Sequence, residues 1–162
     1  MGRDRRIWML VIAAVVIAVD RWTKQWVGKH LELGQAIVVI PKVFRITHVL
    51  NTGAAFSMFE NLNENTVRNL LVAFSIIAVV VVLVLLWKMG RTFSMTSVGL
   101  ALILGGALGN LYDRWQYHHV VDFLEVHIVH YHWPDFNVAD SCIVIGACLL
   151  LLEMFRPQKS EA

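Results

Sequence analysis

Four aspartates stand where carboxylates are costly. Asp20, Asp113, Asp122 and Asp140 each lie within or at the edge of an apolar stretch, accompanied by Asn51, Asn110 and Asn137. An ionisable side chain in a membrane segment costs at least ~2.5–3.5 kcal/mol, so each needs a partner or a purpose. Two of them best suit acid–base chemistry. Asp122 stands in Val120-Val121-Asp122-Phe123, within a strand-like run, and Asp140 in Phe136-Asn137-Val138-Ala139-Asp140-Ser141, at the start of an apolar helix. Two carboxylates a few ångströms apart cannot both ionise cheaply, so they share a proton and titrate as a pair. The ionised member can take a proton from water while the protonated one polarises a carbonyl. That chemistry requires no metal, no cofactor and no covalent intermediate. The plainer role for Asn137 or Asp140 is a helix N-cap.

The remaining polar residues admit supporting roles. Asp20 and Lys24, four apart, share a helix face and can pair, or Lys24 can snorkel to the interface. In Gly105-Gly106-Ala107-Leu108-Gly109-Asn110, glycines four apart permit close helix packing. Arg114, next to Asp113, is expected to compensate its charge. Asn51-Thr52-Gly53 has turn chemistry. Other proteolytic chemistries fit less well: there is no H-E-x-x-H and no G-x-S-x-G. His118, His119, His127, His130 and His132 cluster in sequence near Glu125. Such histidines are more often surface groups than ligands, and no metal centre is expected. Cys142 and Cys148, six apart in an apolar run, read as packing residues.

The elements that carry these groups are written in the hydropathy. Of 162 residues, 57% are hydrophobic and 16% charged, with a mean hydropathy of +0.61. A soluble domain has about 25% charged residues. About 20 apolar residues span a bilayer, and four blocks qualify as spans: about 7–27, 67–87, 94–112 and 138–155. The chain therefore reads as a single α-helical membrane domain, 1–162, with outer segments at about 28–66 and 113–137. Ile37–Ile40, Val43–Leu50 and Val120–Tyr131 have strand composition, and a small extracytoplasmic β-sheet is expected at the outer membrane face. Phe56, Met58 and Phe59 suggest a lid. Arg3, Arg5 and Arg6, then Lys88 and Arg91, then Arg156 and Lys159 fall on one side of a four-span chain. The positive-inside rule makes that side, and both termini, cytoplasmic. A net charge of +2 without a basic stripe excludes a nucleic-acid binder.

Five blocks, Asp20 to Lys24, Asn51 to Phe56, Gly105 to Arg114, Val120 to Phe123 and Phe136 to Ser141, resemble in order the motifs of bacterial lipoprotein signal peptidases (signal peptidase II). The resemblance covers nearly the whole chain; the histidine-rich stretch from His127 to His132 is peculiar to this sequence. It implies an intramembrane aspartyl endopeptidase of the bacterial inner membrane. The substrate would be a diacylglyceryl-modified prolipoprotein, cut before its lipidated cysteine. It also implies Asp122 and Asp140 as the catalytic pair. Asn51, Gly53, Asn110, Arg114 and Asn137 would shape the pocket, with Asp20, Lys24, Asp113 and Gly106 in support. Expected partners are the lipid-modified substrate and the bilayer, with no cofactor, for a monomeric protein. A transporter using Asp20, Asp113 and Asp140 as a relay is the competing class, disfavoured by the lack of an inverted repeat.

Overall fold

The computed structural model describes residues 4–53, 63–89, 91–128 and 131–155. Four helices and four short strands follow in the order α1 (Arg6–His30), β1 (Ala36–Ile40), β2 (Phe44–Asn51), α2 (Glu64–Met89), α3 (Met95–Gln116), β3 (Val120–Ile128), β4 (Tyr131–His132) and α4 (Val138–Met154). Phe56, Met58 and Phe59 lie outside the described residues, as do Arg3, His130, Arg156 and Lys159.

The helices are inside-out by the standard of a soluble protein. In α2, Phe74, Ile77, Val80, Val81 and Val84 are exposed, whereas Asp20, Lys24, Asn110 and Asp113 are buried. Two helices, over Asn65–Met89 and Met95–Gln116, are long and apolar enough to cross a bilayer. Exposed aromatics mark both ends: Trp87 and Phe93 at one, Trp22, Tyr112, Trp115 and Tyr117 at the other. Such belts suit the two interfaces of a membrane. At the first end the Arg5 N–H donates to the Arg91 carbonyl at 3.2 Å, and the Arg6 guanidinium lies 4.1 Å from the Trp87 ring centroid.

Helix α3 is the hub, packed against the other three helices. Ser94 caps its start, accepting from the Ser97 N–H while Ser97 answers in a capping box. Its glycines let neighbours in. A Cβ at Gly106 would run into the Ala139 carbonyl of α4, and one at Gly109 would lie 2.8 Å from an Asp20 carboxylate oxygen of α1. The packing role expected of these glycines is the one they perform.

All four strands form one antiparallel sheet in chain order. The first two helices run up to three residues beyond their expected bounds, and two further differences bear on the site. The third helix continues one turn past Tyr112 to Gln116, because Asp113 faces inward to buried partners and keeps that turn packed. The third expected strand stops at Ile128, and Tyr131–His132 turns back to pair with it.

Candidate active site

The site forms where β2, β3, α3 and α4 converge. In the sheet register Val49 opposes Asp122 and Asn51 opposes Val120, so Asn51 and Asp122 project from the same face. Asn51 Nδ2 donates to Asp122 Oδ2 at 2.8 Å. Its Oδ1 accepts the Gly53 N–H at 2.8 Å. Gly53 has φ +94°, a left-handed conformation natural only to glycine. The expected turn thus exists, and it aims the Asn51 amide at the carboxylate.

Asp140 arrives by helix capping. Asn137 Oδ1 accepts the Asp140 N–H at 3.0 Å, and Asp140 Oδ2 accepts the Asn137 N–H at 3.3 Å. This reciprocal box starts α4. The plain N-cap reading is therefore right, yet it is incomplete. Asn137 Nδ2 also donates to Asp122 Oδ1 at 2.7 Å, and Asn110 Nδ2 donates to Asp140 Oδ1 at 2.7 Å. One asparagine touches both carboxylates.

Burial pushes the Asp122 carboxyl up to about 6; the Asn51 amide pulls against this, and the nearby Asp140 charge reinforces it. Asp122 is 2% exposed. It opens on a cavity of about 530 Å³ lined by Leu50, Asn51, Thr52, His132 and Asp135. Asp140 faces a second cavity of about 280 Å³, lined by Leu71, Phe74, Asn110, Arg114 and Ile143. Each carboxylate thus lines a cavity of its own, Asp122 the one beside the sheet and Asp140 the one between the helices.

Behind the pair lies a charged brace. Lys24 Nζ donates to Asp20 Oδ2 at 2.8 Å, Asn110 Oδ1 at 3.0 Å and Asp113 Oδ2 at 2.7 Å, matching its three protons with three acceptors. Lys24 is buried, so it pairs rather than snorkels. Asp20 Oδ1 in turn accepts the Ala139 N–H at 3.0 Å, satisfying a first-turn donor of α4 that the helix cannot pair itself.

Arg114 corrects one expectation. Asp113 is compensated by Lys24 and by Arg21, whose Nη1 donates to Asp113 Oδ1. Consecutive helical residues diverge by about 100°, so Arg114 points elsewhere, into the cavity that Asp140 lines. Its Nη1 stands 3.5 Å from the Asn110 carbonyl. Arg21 was missed as a partner although its spacing from Lys24 puts both cations on one face. Of the histidines, His127 and His132 gather on Glu125.

The chain is similar to known proteins over nearly its whole length. A family model described as signal peptidase (SPase) II matches residues 12–156. A lipoprotein signal peptidase of Alteromonas mediterranea is 44% identical over 98% of this chain and 87% of its own length. One from Pseudomonas putida is 44% identical, covering 99% and 94%, and one from Brevibacillus brevis 40%, covering 96% and 99%. A solved bacterial membrane enzyme superposes with a TM-score of 0.83 at 29% identity, covering 100% of this chain and 99% of that one.

Proposed function

The chain belongs to the signal peptidase II family, and on that premise we propose that it is an aspartyl endopeptidase whose catalytic pair is Asp122 and Asp140. Its substrates are prolipoproteins carrying a diacylglyceryl group, and it cuts immediately before the lipidated cysteine. The observation that carries the reading is the shared asparagine: Asn137 holds Asp122 by its amide and Asp140 by the capping box.

The pair works with one proton between its members. The ionised carboxylate removes a proton from water as the water oxygen adds to the scissile carbonyl, and the protonated carboxyl hydrogen-bonds the carbonyl oxygen. The tetrahedral intermediate collapses as a proton passes to the departing nitrogen, leaving a carboxyl group and a free amine. Amide donors from Asn51, Asn110 and Asn137 fix both carboxylates without neutralising either. Arg114 and Gly53 shape the two openings; Asp20, Lys24, Asp113 and Gly106 hold α1, α3 and α4 in register.

In this reading the four helices cross the bacterial inner membrane with both termini cytoplasmic, and the pair lies near the outer leaflet beside the sheet. A single domain and a single chain supply every group invoked. The lipid of the substrate confines the scissile bond to that depth and orients it, which raises the effective concentration of the reacting groups. The apolar cavity beside Asp140 suits the hydrophobic part of a signal sequence, and the polar cavity beside Asp122 suits the chain on the other side of the cut.

Purified protein in detergent, given synthetic prolipoprotein with or without its diacylglyceryl group, provides the test. Cleavage before the lipidated cysteine is expected, lost in Asp122→Asn and in Asp140→Asn and indifferent to chelator. Cleavage abolished by chelator, or surviving in either variant, would sink the dyad.

A further inference from the structure

The β3–β4 hairpin carries a second cluster, outside the aspartate pair. Glu125 and His127, two apart on β3, share a face, and the antiparallel register sets His132 directly opposite His127. Glu125 Oε1 accepts from His127 Nε2 at 3.0 Å and from His132 Nε2 at 2.7 Å. All three ligand atoms lie within 4.8 Å of one another. The rings are inclined by 61° and not stacked, so both nitrogens converge on the one oxygen.

These dimensions suit a metal ion. Tetrahedral zinc, with bonds of about 2.0–2.2 Å, holds its ligand atoms roughly 3.3–3.5 Å apart. The two nitrogen–oxygen separations reach that spacing if the rings withdraw by about half an ångström, and the two nitrogens, within 4.8 Å of each other, close on the ion by small ring adjustments. A fourth donor stands beside it: Asp135 Oδ1 is 3.8 Å from His132 Nε2, is buried, and accepts no hydrogen bond. A buried carboxylate oxygen without a donor needs an explanation, and a cation supplies one. Arg45 grips both oxygens of Glu125, the kind of outer partner that orients a ligating carboxylate. With Glu125 and Asp135 set against Arg45, the cluster keeps one formal negative charge to offer a divalent ion.

We propose that Glu125, His127 and His132, with Asp135 as fourth donor, form a binding site for a divalent transition metal of the zinc type. Two imidazole nitrogens with carboxylate oxygens favour such an ion over magnesium or calcium, which prefer all-oxygen shells. The ion takes the place of the two N–H protons that now join the rings to Glu125. It clips β4 to β3 and steadies the path from His132 to Asn137. Because His132 and Asp135 also line the cavity that exposes Asp122, the clip sits at its rim. The site is structural and does not depend on the proposed peptidase chemistry.

The test is a calorimetric titration of untagged, chelator-stripped protein in detergent with zinc chloride, paired with thermal unfolding. One zinc per chain is expected, with a melting temperature raised by zinc and restored by chelator. His132→Ala lies in a half-exposed, two-residue strand that the fold can spare. It should weaken binding by ~10–100-fold or more and lose the thermal shift. His127→Ala should behave alike, whereas an Asp122→Asn/Asp140→Asn double variant should bind as wild type does. Wild-type affinity in folded His132→Ala, or binding abolished by the double aspartate change, would overturn the assignment, as would no stoichiometric binding at all.

Discussion

Two groups of aspartates, buried but for the half-buried Asp140, sit side by side in this protein, and they are held in different ways. Asp20 and Asp113 face cations: Lys24 bonds both, and Arg21 adds a second contact to Asp113. Asp122 and Asp140 take their hydrogen bonds from neutral amides of Asn51, Asn110 and Asn137, with the Arg114 guanidinium nearby in the cavity that Asp140 lines. A carboxylate gripped by a buried ammonium is fixed in an ion pair that ties helices together. One held by amides is positioned equally well while its proton remains free to move. Asn110 joins the two groups, giving its oxygen to Lys24 and its Nδ2 to Asp140.

The contrast is sharpest under amide substitution of the proposed catalytic pair. Asp122→Asn or Asp140→Asn should lower kcat by about 10³-fold or more while the protein still folds, because each removes an acid–base group and keeps its shape. Turnover of a lipid-modified peptide, alongside the melting curve, reads both. Lys24→Met should do the reverse. It leaves Asp20 buried without its cation and should cost on the order of 3–5 kcal/mol of stability. Thermal unfolding in detergent measures this; an unchanged melting temperature would mean the brace carries no load.

Smaller effects probe the tuning. Asn51 donates to the charged form of Asp122 and so lowers its pKa; Asn51→Ala should raise it further above about 6. The free enzyme then keeps its shared proton to higher pH, so the alkaline limb of the kcat/KM profile should move upward. The same raised pKa predicts a stability effect. With Asp122 more acidic unfolded than folded, its contribution is full below the ordinary value of 3.8. It declines as pH climbs through about 6. The wild type should therefore lose stability across that window, and Asp122→Asn should show a flatter profile. Last, Gly106→Ala forces α3 away from the Ala139 carbonyl. A shift of that kind near the site should cost activity up to about 10²-fold, less than the loss of either aspartate.

Much of this was legible in the residues. Period and hydropathy marked all four helices to within a few residues, and β-branched composition marked the sheet. Asp122 and Asp140 stood out because carboxylates amid apolar neighbours demand a reason. What one dimension hid was rotation. Arg114 follows Asp113 in the chain, but a helical step turns it away, and the compensating charges come from Lys24 and Arg21, 89 and 92 residues distant. The β4 return was hidden too, since Val120–Tyr131 has strand composition throughout and carries no glycine or proline to announce a turn. Nor could spacing reveal that Asn137 serves both as a cap and as the link between the carboxylates.

That double duty of Asn137 sets the order of events when the protein is made. Synthesis delivers Asp20, Lys24, Asn51 and Asp122 first, and the α4 cap last. Until the final helix docks, Asp122 keeps the Asn51 amide but lacks the Asn137 amide and a companion carboxylate, so the proposed catalytic pair is incomplete. The bonds that begin α4 are the ones that complete the proposed catalytic pair, so on that reading activity waits on the docking of this helix. A chain arrested before residue 137 should insert its earlier helices and remain inert toward every substrate.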